Sequence, residues 1–495
     1  MKRTTLSLFA TAAALAAVTG VALVTGPSQD GTAAPRPSAA RMPVQHTSVL
    51  CPAPTSSEVG ETTYTAYAPG GGRGETKPAD LLPAADGKKD DAKKRDGKPV
   101  LSLKAPGKPV TATTDRSDAP ALTGSADGAL APGWTVQQTT TIAAGSGRGL
   151  QGLTCTAPDT SFWFPGVATA KGRQDYVHLT NPDATTAAVV DLELYGKDGR
   201  VAAPTGEGVT VPPRSTVPVL LTTLPETSDG TEGDLTLHVA ARSGRVGAAV
   251  QSNDDKLGGD WLPASDAGTG AVLPGIPADA TSVRLVAFAP GSDDADLTLR
   301  LAGPSGTIRP AGHESLHVKS GMTASADLGA ITKGEPGSLL LTSEGGVPFT
   351  AGLRVTRGKG DKQETAFVPA VPPIGTRGTV ADARAKGTTL SLTAPEKDAQ
   401  VKVVASAGSE GGAPASRTYT VKGGTTLTVE PPTPAGGKGV WAVGVEKVSG
   451  GPVHASRMLA LPKDGVPAFT IQPLPDDRST VEVPAVRQDL SAVTR

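Results

Sequence analysis

Few residues of this chain have the types and spacing that catalysis or metal binding requires. Its six histidines are spread over the whole sequence: His46, His178, His238, His313, His317 and His454. His313 and His317 are four residues apart, but that spacing pairs ligands on a helix, and the surrounding sequence indicates a strand or turn. Solvated surface histidines are the better interpretation, notably for His178 and His238 on polar faces of predicted strands. We therefore expect neither a metal site nor a cofactor.

The sequence also lacks the usual signatures of a hydrolase. It has no GxSxG nucleophile turn, and Gly145-Ser146-Gly147 is only a glycine-rich loop. Three acidic pairs suggest glycosidase or calcium chemistry: they are Asp254-Asp255, Asp293-Asp294 and Asp476-Asp477. Because no Asp-x-Asp-x-Asp-Gly pattern accompanies them, solvated carboxylates in turns are favoured. We expect no catalytic residues and a non-enzymatic protein, with a glycan-processing hydrolase whose site lies between domains as the alternative.

The most distinctive local string is Ser161-Phe162-Trp163-Phe164-Pro165-Gly166. Exposed aromatic rings can stack on sugars, so Trp163 is the first candidate for carbohydrate binding, followed by Phe162 and Phe164. The string has echoes in Asp260-Trp261-Leu262-Pro263 and Phe367-Val368-Pro369, each at a predicted domain boundary. Their position favours the other interpretation, in which the aromatic residues hold one domain against the next.

Cys51 and Cys155 are the only cysteines of the chain. An even number of cysteines in an exported chain predicts a disulfide between them. Two cysteines without a histidine cluster are too few for a structural zinc site, and no flanking base would activate either thiol. The bridge would close a loop of about 100 residues and stabilise the fold by at most roughly 4.7 kcal/mol.

An internal repeat organises the elements that carry these residues. Residues 190–224 align without a gap on residues 297–331, at a constant offset of 107 positions. Val190, Leu192 and Leu194 fall on Leu297, Leu299 and Leu301, and the turn 196–199 falls on the turn 303–306. Self-similarity at a fixed period indicates copies of one folding unit.

The local patterns in each copy predict β-structure. Val190, Leu192 and Leu194 alternate with Asp191 and Glu193, which is the period of a half-buried antiparallel strand. Units of roughly 100 residues with turn signals every eight to twelve residues predict an all-β chain of tandem immunoglobulin-like β-sandwiches. The alternative is a β-propeller in which each unit counts as two blades, but no motif recurs at half the period.

These patterns divide the chain into segments. They are a signal peptide or membrane anchor (1–25), a flexible linker (26–43), a first β-unit (44–155) with a disordered charged loop (70–98), three β-sandwiches (156–264, 270–370 and 373–475) and a tail (476–495). The loop is predicted to be disordered because its mixed charges and glycines cannot bury apolar area. Small residues recur late in each sandwich, as in Gly247-Ala248 and Ala351-Gly352, and indicate close packing against a neighbouring backbone.

The N-terminus and the charge balance bear on location and partners. Lys2 and Arg3 precede an uncharged stretch, residues 6–25, which is typical of an export signal. Such a stretch spans roughly 30 Å as a helix, so cleavage and retention as a single anchor both fit. With 47 basic and 48 acidic residues, the chain lacks the basic surface that nucleic acid requires. We expect the protein outside the cytoplasm, secreted or anchored by its N-terminal segment, its only contact with the membrane.

The layout resembles a family of secreted or membrane-anchored proteins of high-GC Gram-positive bacteria that is classed only as a domain of unknown function. The resemblance rests on the Lys2-Arg3 signal, the Cys51-Pro52-Ala53-Pro54 opening and the Phe162-Trp163-Phe164-Pro165-Gly166 string. It implies an envelope location and carries over no catalytic residue. We expect a scaffold or binding module of the cell envelope, with an envelope protein or cell-wall glycan as partner; a carbohydrate-binding protein is a further alternative.

Overall fold

The computed structural model describes residues 40–70, 72–86, 97–226 and 233–483. The predicted signal or anchor (1–25) and most of the predicted linker lie outside these ranges. The described residues belong to two compact units, a small one that contains residues 40–42 and 482–483 and a large one formed by residues 43–481. In the small unit, Arg41 donates a hydrogen bond to Glu482 (3.4 Å). Within the described ranges, no helix is long and apolar enough to cross a bilayer.

Strands joined by turns make up the chain, and its described part contains no α-helix. Up to residue 154 the strands are β1 (Ala40–Pro43), β2 (His46–Cys51), β3 (Gly60–Tyr67), β4 (Ala79–Pro83), β5 (Ala85–Asp86), β6 (Leu101–Leu103), β7 (Val110–Thr114), β8 (Leu122–Asp127), β9 (Thr135–Ile142) and β10 (Gly149–Thr154). The next are β11 (Ser161–Val167), β12 (Arg173–Thr180), β13 (Ala188–Gly196), β14 (Gly199–Val201), β15 (Val209–Val211), β16 (Ser215–Leu220), β17 (Leu235–Ser243), β18 (Gly247–Asp254) and β19 (Gly258–Leu262).

The second half of the chain continues in the same manner. Its strands begin with β20 (Gly270–Ile276), β21 (Ala280–Phe288), β22 (Ala295–Ala302), β23 (Thr307–Ile308), β24 (Ser315–Val318), β25 (Thr323–Asp327), β26 (Gly337–Ser343), β27 (Thr350–Arg357) and β28 (Glu364–Pro369). The last are β29 (Arg377–Ala383), β30 (Thr388–Ala394), β31 (Ala399–Ala405), β32 (Gly411–Ala413), β33 (Ala415–Val421), β34 (Thr425–Val429), β35 (Ala435–Lys438), β36 (Trp441–Gly450), β37 (His454–Ala460), β38 (Phe469–Pro473) and β39 (Thr480–Val483). Single 3₁₀ turns occur at Gly128–Leu130, Pro204–Gly206, Leu221–Thr223, Glu344–Gly346 and Gly360–Lys362.

Four sandwiches share one topology. In the first, the sheets have the strand orders β2-β8-β4-β6 and β7-β3-β9-β10. The second repeats this with β11-β17-β13-β15 and β16-β12-β18-β19, the third with β20-β26-β22-β24 and β25-β21-β27-β28, and the fourth with β29-β36-β31-β33 and β34-β30-β37-β38. The described sheets stay open rather than closing into a barrel, which confirms the predicted all-β fold of sandwich type. The alternative prediction of a β-propeller is wrong, because each repeat forms a pair of facing sheets rather than two propeller blades.

The core of each sandwich is a thin aliphatic layer between its two sheets. Strand β13 alternates buried and half-buried residues along its whole length, with Val190, Leu192 and Leu194 inside. The equivalent residues of β22, among them Leu297 and Leu299, are buried in the core of the third sandwich. The alternation places the apolar side chains on one face because successive side chains of a strand point to opposite sides of the sheet.

The four sandwiches close into a ring. We call β10, β19, β28 and β38, the last strand of each sandwich, the axial strands. Strand β10 lies against β19, β19 against β28, β28 against β38, and β38 against β10, so that the first and fourth sandwiches are neighbours. The first strand of each sandwich also meets the next sandwich in the ring, as β11 meets β27 and β29 meets β9. The repeat therefore generates a closed assembly within one chain.

The prediction of a disordered loop over 70–98 is wrong for part of that range. Strand β4 lies there and pairs with β8 in a sheet of the first sandwich, with Leu81 buried. Strand β5 extends a sheet of the second sandwich by pairing in parallel with β16. The apolar run around Leu81 is short and sits among charged residues, so periodicity did not reveal it. Residues 71 and 87–96 lie outside the described ranges. Residues 40–43, predicted as linker, form β1.

Candidate functional site

The sandwiches approach one another at glycines and other small residues. A Cβ atom added at Gly352 of β27 would lie 2.9 Å from the carbonyl oxygen of Pro165 in β11. At Gly247 of β18 it would lie 2.7 Å from the side chain of Leu50 in β2. Any larger residue would force the sheets apart. The small residues late in each sandwich therefore permit close packing against the neighbour, as the sequence indicated.

Apolar residues of the axial strands insert into the preceding sandwich. Trp261 of β19 packs on Leu153 of β10. Phe367 of β28 lies in the core of the second sandwich, and Ile471 of β38 lies in the core of the third. The aromatic echoes at the predicted boundaries thus join sandwiches at the ring axis.

Two buried carboxylates connect the axial strands across the ring. Asp260 of β19 accepts hydrogen bonds from the backbone N–H of Gly152 in β10 (2.9 Å) and from the hydroxyl of Thr470 in β38 (2.9 Å). Glu364 of β28 accepts from the N–H groups of Leu150 in β10 (2.7 Å) and Phe469 in β38 (3.2 Å). Carboxylates of the second and third sandwiches therefore accept hydrogen bonds from backbone N–H groups of the first and fourth sandwiches.

Burial changes the proton affinity of both acids. It raises the pKa of Glu364 to about 7, although two backbone N–H donors and the charges of Arg148 and Arg357 work in the other direction. Burial also raises the pKa of Asp260 well above its ordinary value, and the negative charge of Glu364 adds to this. An ionised carboxylate loses its hydration in such a place, so the neutral form is favoured. Glu364 at the ring axis therefore binds a proton more readily than an exposed glutamate does.

The three aromatic residues predicted to bind carbohydrate lie in two different places, the core of the second sandwich and its junction with the third. Phe164 is fully buried in the core of the second sandwich and presents no surface to a ligand, and Phe162 packs against that core. Trp163 lies on the other face, where its ring stacks on the imidazole of His238 with centroids 3.8 Å apart. The same indole contacts Phe288 of the third sandwich at 5.0 Å. Trp163 therefore joins the second and third sandwiches.

Beside Trp163, three side chains form a hydrogen-bonded chain. The hydroxyl of Ser161 lies 3.0 Å from Nε2 of His238, and Nδ1 of His238 lies 2.9 Å from a carboxylate oxygen of Glu193. Burial raises the pKa of Glu193, but hydrogen bonds from His238 and Tyr195 and the charge of Arg200 outweigh burial and lower it. A hydroxyl, an imidazole and an ionised carboxylate in this order form the arrangement of a serine hydrolase triad. Sequence spacing could not show it, because the three residues come from three paired strands.

A cavity of about 930 Å³ opens between the first and second sandwiches. We call it the cleft. Its wall on the second sandwich includes Gln174, Tyr176 and His178 of β12, together with Gln251 and Asn253 of β18. Residues 53, 55–57, 83–85 and 116–121 form much of the opposite wall. The prediction of a solvated histidine at His178 is wrong, because the residue is only 9% exposed and burial lowers its pKa to about 4.

The paired acids are used in turns and ion pairs. Asp254 accepts hydrogen bonds from the N–H groups of Lys256 (2.8 Å) and Leu257 (2.9 Å), and Asp477 pairs with Arg377 (2.5 Å). In the described ranges, no three or more His, Cys, Asp or Glu side chains come together as a metal site would require. Asp254 therefore closes a local turn, as expected of a loop carboxylate, whereas Asp477 joins segments that are 100 residues apart.

Cys51 and Cys155 form a disulfide, which confirms the predicted pairing. Cys51 ends β2 and Cys155 directly follows the axial strand β10, so the bridge ties the first strand of the first sandwich to its last. Both residues are buried in that core.

The fold and these junctions define an all-β protein of four tandem sandwiches that close into a ring. The chain belongs to a family of unknown function (DUF5719), whose model matches residues 110–432. That match includes the whole of the second and third sandwiches. No curated protein matches the chain. Among solved structures, the tetra-tandem repeat in the extending region of a large adhesion protein is similar at 11% identity over 89% of this chain and 100% of the other; its TM-score of 0.10 carries no argument.

Proposed function

We propose that this protein is a non-enzymatic scaffold or binding module that works outside the cytoplasm, at the bacterial cell envelope. The observation that carries the proposal is the ring closure, in which the first and fourth sandwiches meet through β10 and β38. Each sandwich is then held by two neighbours through buried contacts, so no hinge is left between consecutive domains. A rigid ring keeps its outer faces at set distances, which suits the presentation of binding surfaces.

Three features of the chain support the location. The Cys51–Cys155 disulfide is typical of oxidising compartments outside the cytoplasm. Lys2 and Arg3 followed by an uncharged stretch favour export, by cleavage or as an anchored protein. The resemblance of the N-terminal third to envelope proteins of high-GC Gram-positive bacteria agrees with both. The partner is an envelope protein or a cell-wall glycan.

The proposal is tested by mixing the purified chain with an envelope fraction from the source organism. We expect the protein to sediment with the envelope while the supernatant gains no sugar or peptide fragments. Chemical cross-linking in the same fraction then identifies the neighbour. Failure to sediment, or release of glycan fragments in proportion to added protein, would contradict a non-enzymatic envelope module.

The Ser161–His238–Glu193 chain favours a second candidate, a hydrolase whose site lies at the junction of the second and third sandwiches. Ser161 would be the nucleophile, His238 the general base and Glu193 the group that orients the imidazole. A fluorophosphonate probe distinguishes the two candidates, because it labels only an activated serine. Labelling of the native chain that Ser161→Ala removes would favour the hydrolase, and an unlabelled folded protein favours the scaffold.

A further inference from the structure

The cleft between the first and second sandwiches has the size of a ligand site. Its volume of about 930 Å³ lies near the upper end of the range for small-molecule pockets, roughly 300–1,000 Å³. It lies between two domains, where such pockets are common. Both sandwiches that line it belong to the closed ring.

One wall presents a regular array of polar side chains. Gln174, Tyr176 and His178 are alternate residues of β12, so they lie on one face of the sheet. Strand β18 runs beside β12 with Asn253 opposite Gln174 and Gln251 opposite Tyr176. Five neighbouring positions of one sheet face thus carry amides, a phenol and an imidazole, where an ordinary outer face would carry charged residues.

The described lining of the cleft offers no unpaired charge to an ionic ligand. Of its described lining residues, only Arg116 and Asp118 are charged at neutral pH, and they pair with each other at 2.9 Å. His178 contributes no charge, because burial lowers its pKa to about 4. A phosphate or carboxylate ligand would need an unpaired cation or a cluster of backbone donors. An apolar ligand would leave the side-chain amides of Gln174 and Asn253 without partners.

The aromatic groups of the cleft provide an apolar surface beside these hydrogen-bonding groups. Tyr176 is half-buried, and its ring lies 6.5 Å from that of His178. His178 in turn rests on Trp261, with ring centroids 5.4 Å apart. Trp261 belongs to the axial strand β19, so the cleft floor is continuous with the ring axis. An aromatic face flanked by neutral amides matches a sugar, which has an apolar ring face and a rim of hydroxyl groups.

We infer that the cleft binds an uncharged oligosaccharide, with Tyr176 as the stacking surface and Gln174 and Asn253 as hydrogen-bonding residues. This deepens the proposed function by naming a ligand class, and it rests on the chain being a binding module. The side-chain amide of Gln251 already donates to the carbonyl oxygen of Pro54 (3.2 Å) and to Oε1 of Gln151 (2.9 Å). The site differs from the one expected at Trp163, whose ring is engaged with His238 and Phe288.

The test measures binding of neutral trisaccharides of glucose, mannose, galactose, arabinose and N-acetylglucosamine to the full chain by titration calorimetry. Oligomers of glucuronic acid serve as the charged comparison. We expect at least one neutral sugar to bind and the charged oligomers to bind at least about tenfold more weakly, because the described lining of the cleft has no unpaired cation. Absence of binding by every neutral sugar, or a preference for the charged series, would overturn the inference. So would tighter binding of a cell-wall peptide in the cleft.

Variants with matched controls locate the site. Tyr176→Ala should weaken sugar binding by about tenfold, since it removes a stacking face. Gln174→Ala should weaken it by about fivefold, since it removes a hydrogen bond. The controls are Tyr419→Ala and Gln400→Ala, a half-buried tyrosine and an exposed glutamine of β33 and β31 in the fourth sandwich. Tyr176→Phe keeps the ring and retains most of the binding if Tyr176→Ala proves unstable. Equal losses in cleft and control variants would contradict the assignment.

Envelope sedimentation separates this inference from the proposed function. If the cleft variants lose the sugar but still sediment with the envelope, the module acts through another surface as well. If the native chain sediments while no sugar binds, the proposed function stands and the cleft assignment fails. If neither occurs, both fail.

Discussion

The junction between the second and third sandwiches and the junction between the first and second sandwiches use equivalent strand positions but are lined by different side chains. Tyr176 and Arg284 each lie four residues before the end of the second strand of their sandwiches. Arg284 donates a hydrogen bond to Asp234 of the second sandwich (2.6 Å), at a junction that Trp163 fills with stacked rings. Tyr176 instead lines the cleft, which faces the first sandwich.

The difference shows that the shared topology sets the geometry of the ring while individual side chains decide whether a junction is filled or open. The same difference is seen at a second pair of equivalent positions, two residues further along the same strands, which are occupied by Val286 and His178. Val286 is buried at the filled junction, whereas His178 lies at the open one, where neutral polar side chains surround it. A duplicated framework can therefore hold one pair of domains rigidly and leave a binding cavity in the next.

The largest effect should come from removing the disulfide beside the open junction. Changing both cysteines to serine is expected to lower the free energy of unfolding of the first sandwich by about 4 kcal/mol, because the bridge closes a loop of 104 residues. Ligand binding in the cleft should fall with it, while the Trp163 junction stays intact. Denaturant unfolding monitored by hydrogen exchange would resolve the two regions. Equal loss of protection at both junctions would show that the ring unfolds as one unit.

The next largest effect should come from emptying the filled junction. Trp163→Ala should lower the free energy of unfolding by about 3 kcal/mol, because it removes the ring that joins His238 and Phe288 and leaves a cavity. Tyr176→Ala should change stability by only about 0.5 kcal/mol, since its ring is half-buried and lines the cleft. Chemical denaturation of both variants measures the difference. Similar losses in the two would contradict the distinction between a filled and an open junction.

A pH titration tests the axis that both junctions share. The pKa of Glu364 is raised from 4.5 to about 7 by burial, so the folded chain binds a proton there more tightly than the unfolded chain does. Stability from this group is complete below pH 4.5 and is lost as the pH rises through 7. Going from pH 8 to pH 5.5 should therefore stabilise the native chain by about 2 kcal/mol relative to Glu364→Gln.

Comparison with the Glu364→Gln variant is needed because His178 changes the stability with pH in the opposite direction. Its pKa is lowered to about 4 by burial, so its contribution is complete above 6.5 and is lost as the pH falls towards 4. That contribution is common to the native chain and Glu364→Gln and cancels in the difference. A difference that does not change between pH 8 and pH 5.5 would show that the pKa of Glu364 is not raised in the folded chain.

The smallest effect concerns the ion pairs at the two junctions. Arg284→Met should lower the free energy of unfolding by about 1 kcal/mol, because Asp234 is left half-buried without its partner. The matched change Arg116→Met at the cleft should have no measurable effect on stability, since that pair is exposed. Thermal unfolding at low and high salt would check both. A larger loss for Arg116→Met would mean that the cleft pair has a structural role.

The strands and the disulfide were accessible from sequence because their signals are local or chemically unambiguous. Val190, Leu192 and Leu194 alternate with polar residues over a full strand, and the same pattern returns at Leu297. Strand β4 was missed because its apolar residues are few and are surrounded by charge. The candidate site was only partly accessible. Trp163 stood out by composition, but nothing near Tyr176 distinguishes it from any tyrosine of a half-buried strand.

The chain by itself determined the class of fold, the duplication and the covalent bridge, since each depends on residue types at short or fixed separations. Only the tertiary structure decided that the first and fourth sandwiches meet and that Asp260 and Glu364 are buried where the axial strands come together. An acid in an alternating strand normally lies on the solvent face, so its sequence position predicts exposure. The burial of Asp260 depends on how whole domains pack. Its carboxylate accepts hydrogen bonds from Gly152 and from Thr470, which are more than 200 residues apart in the sequence.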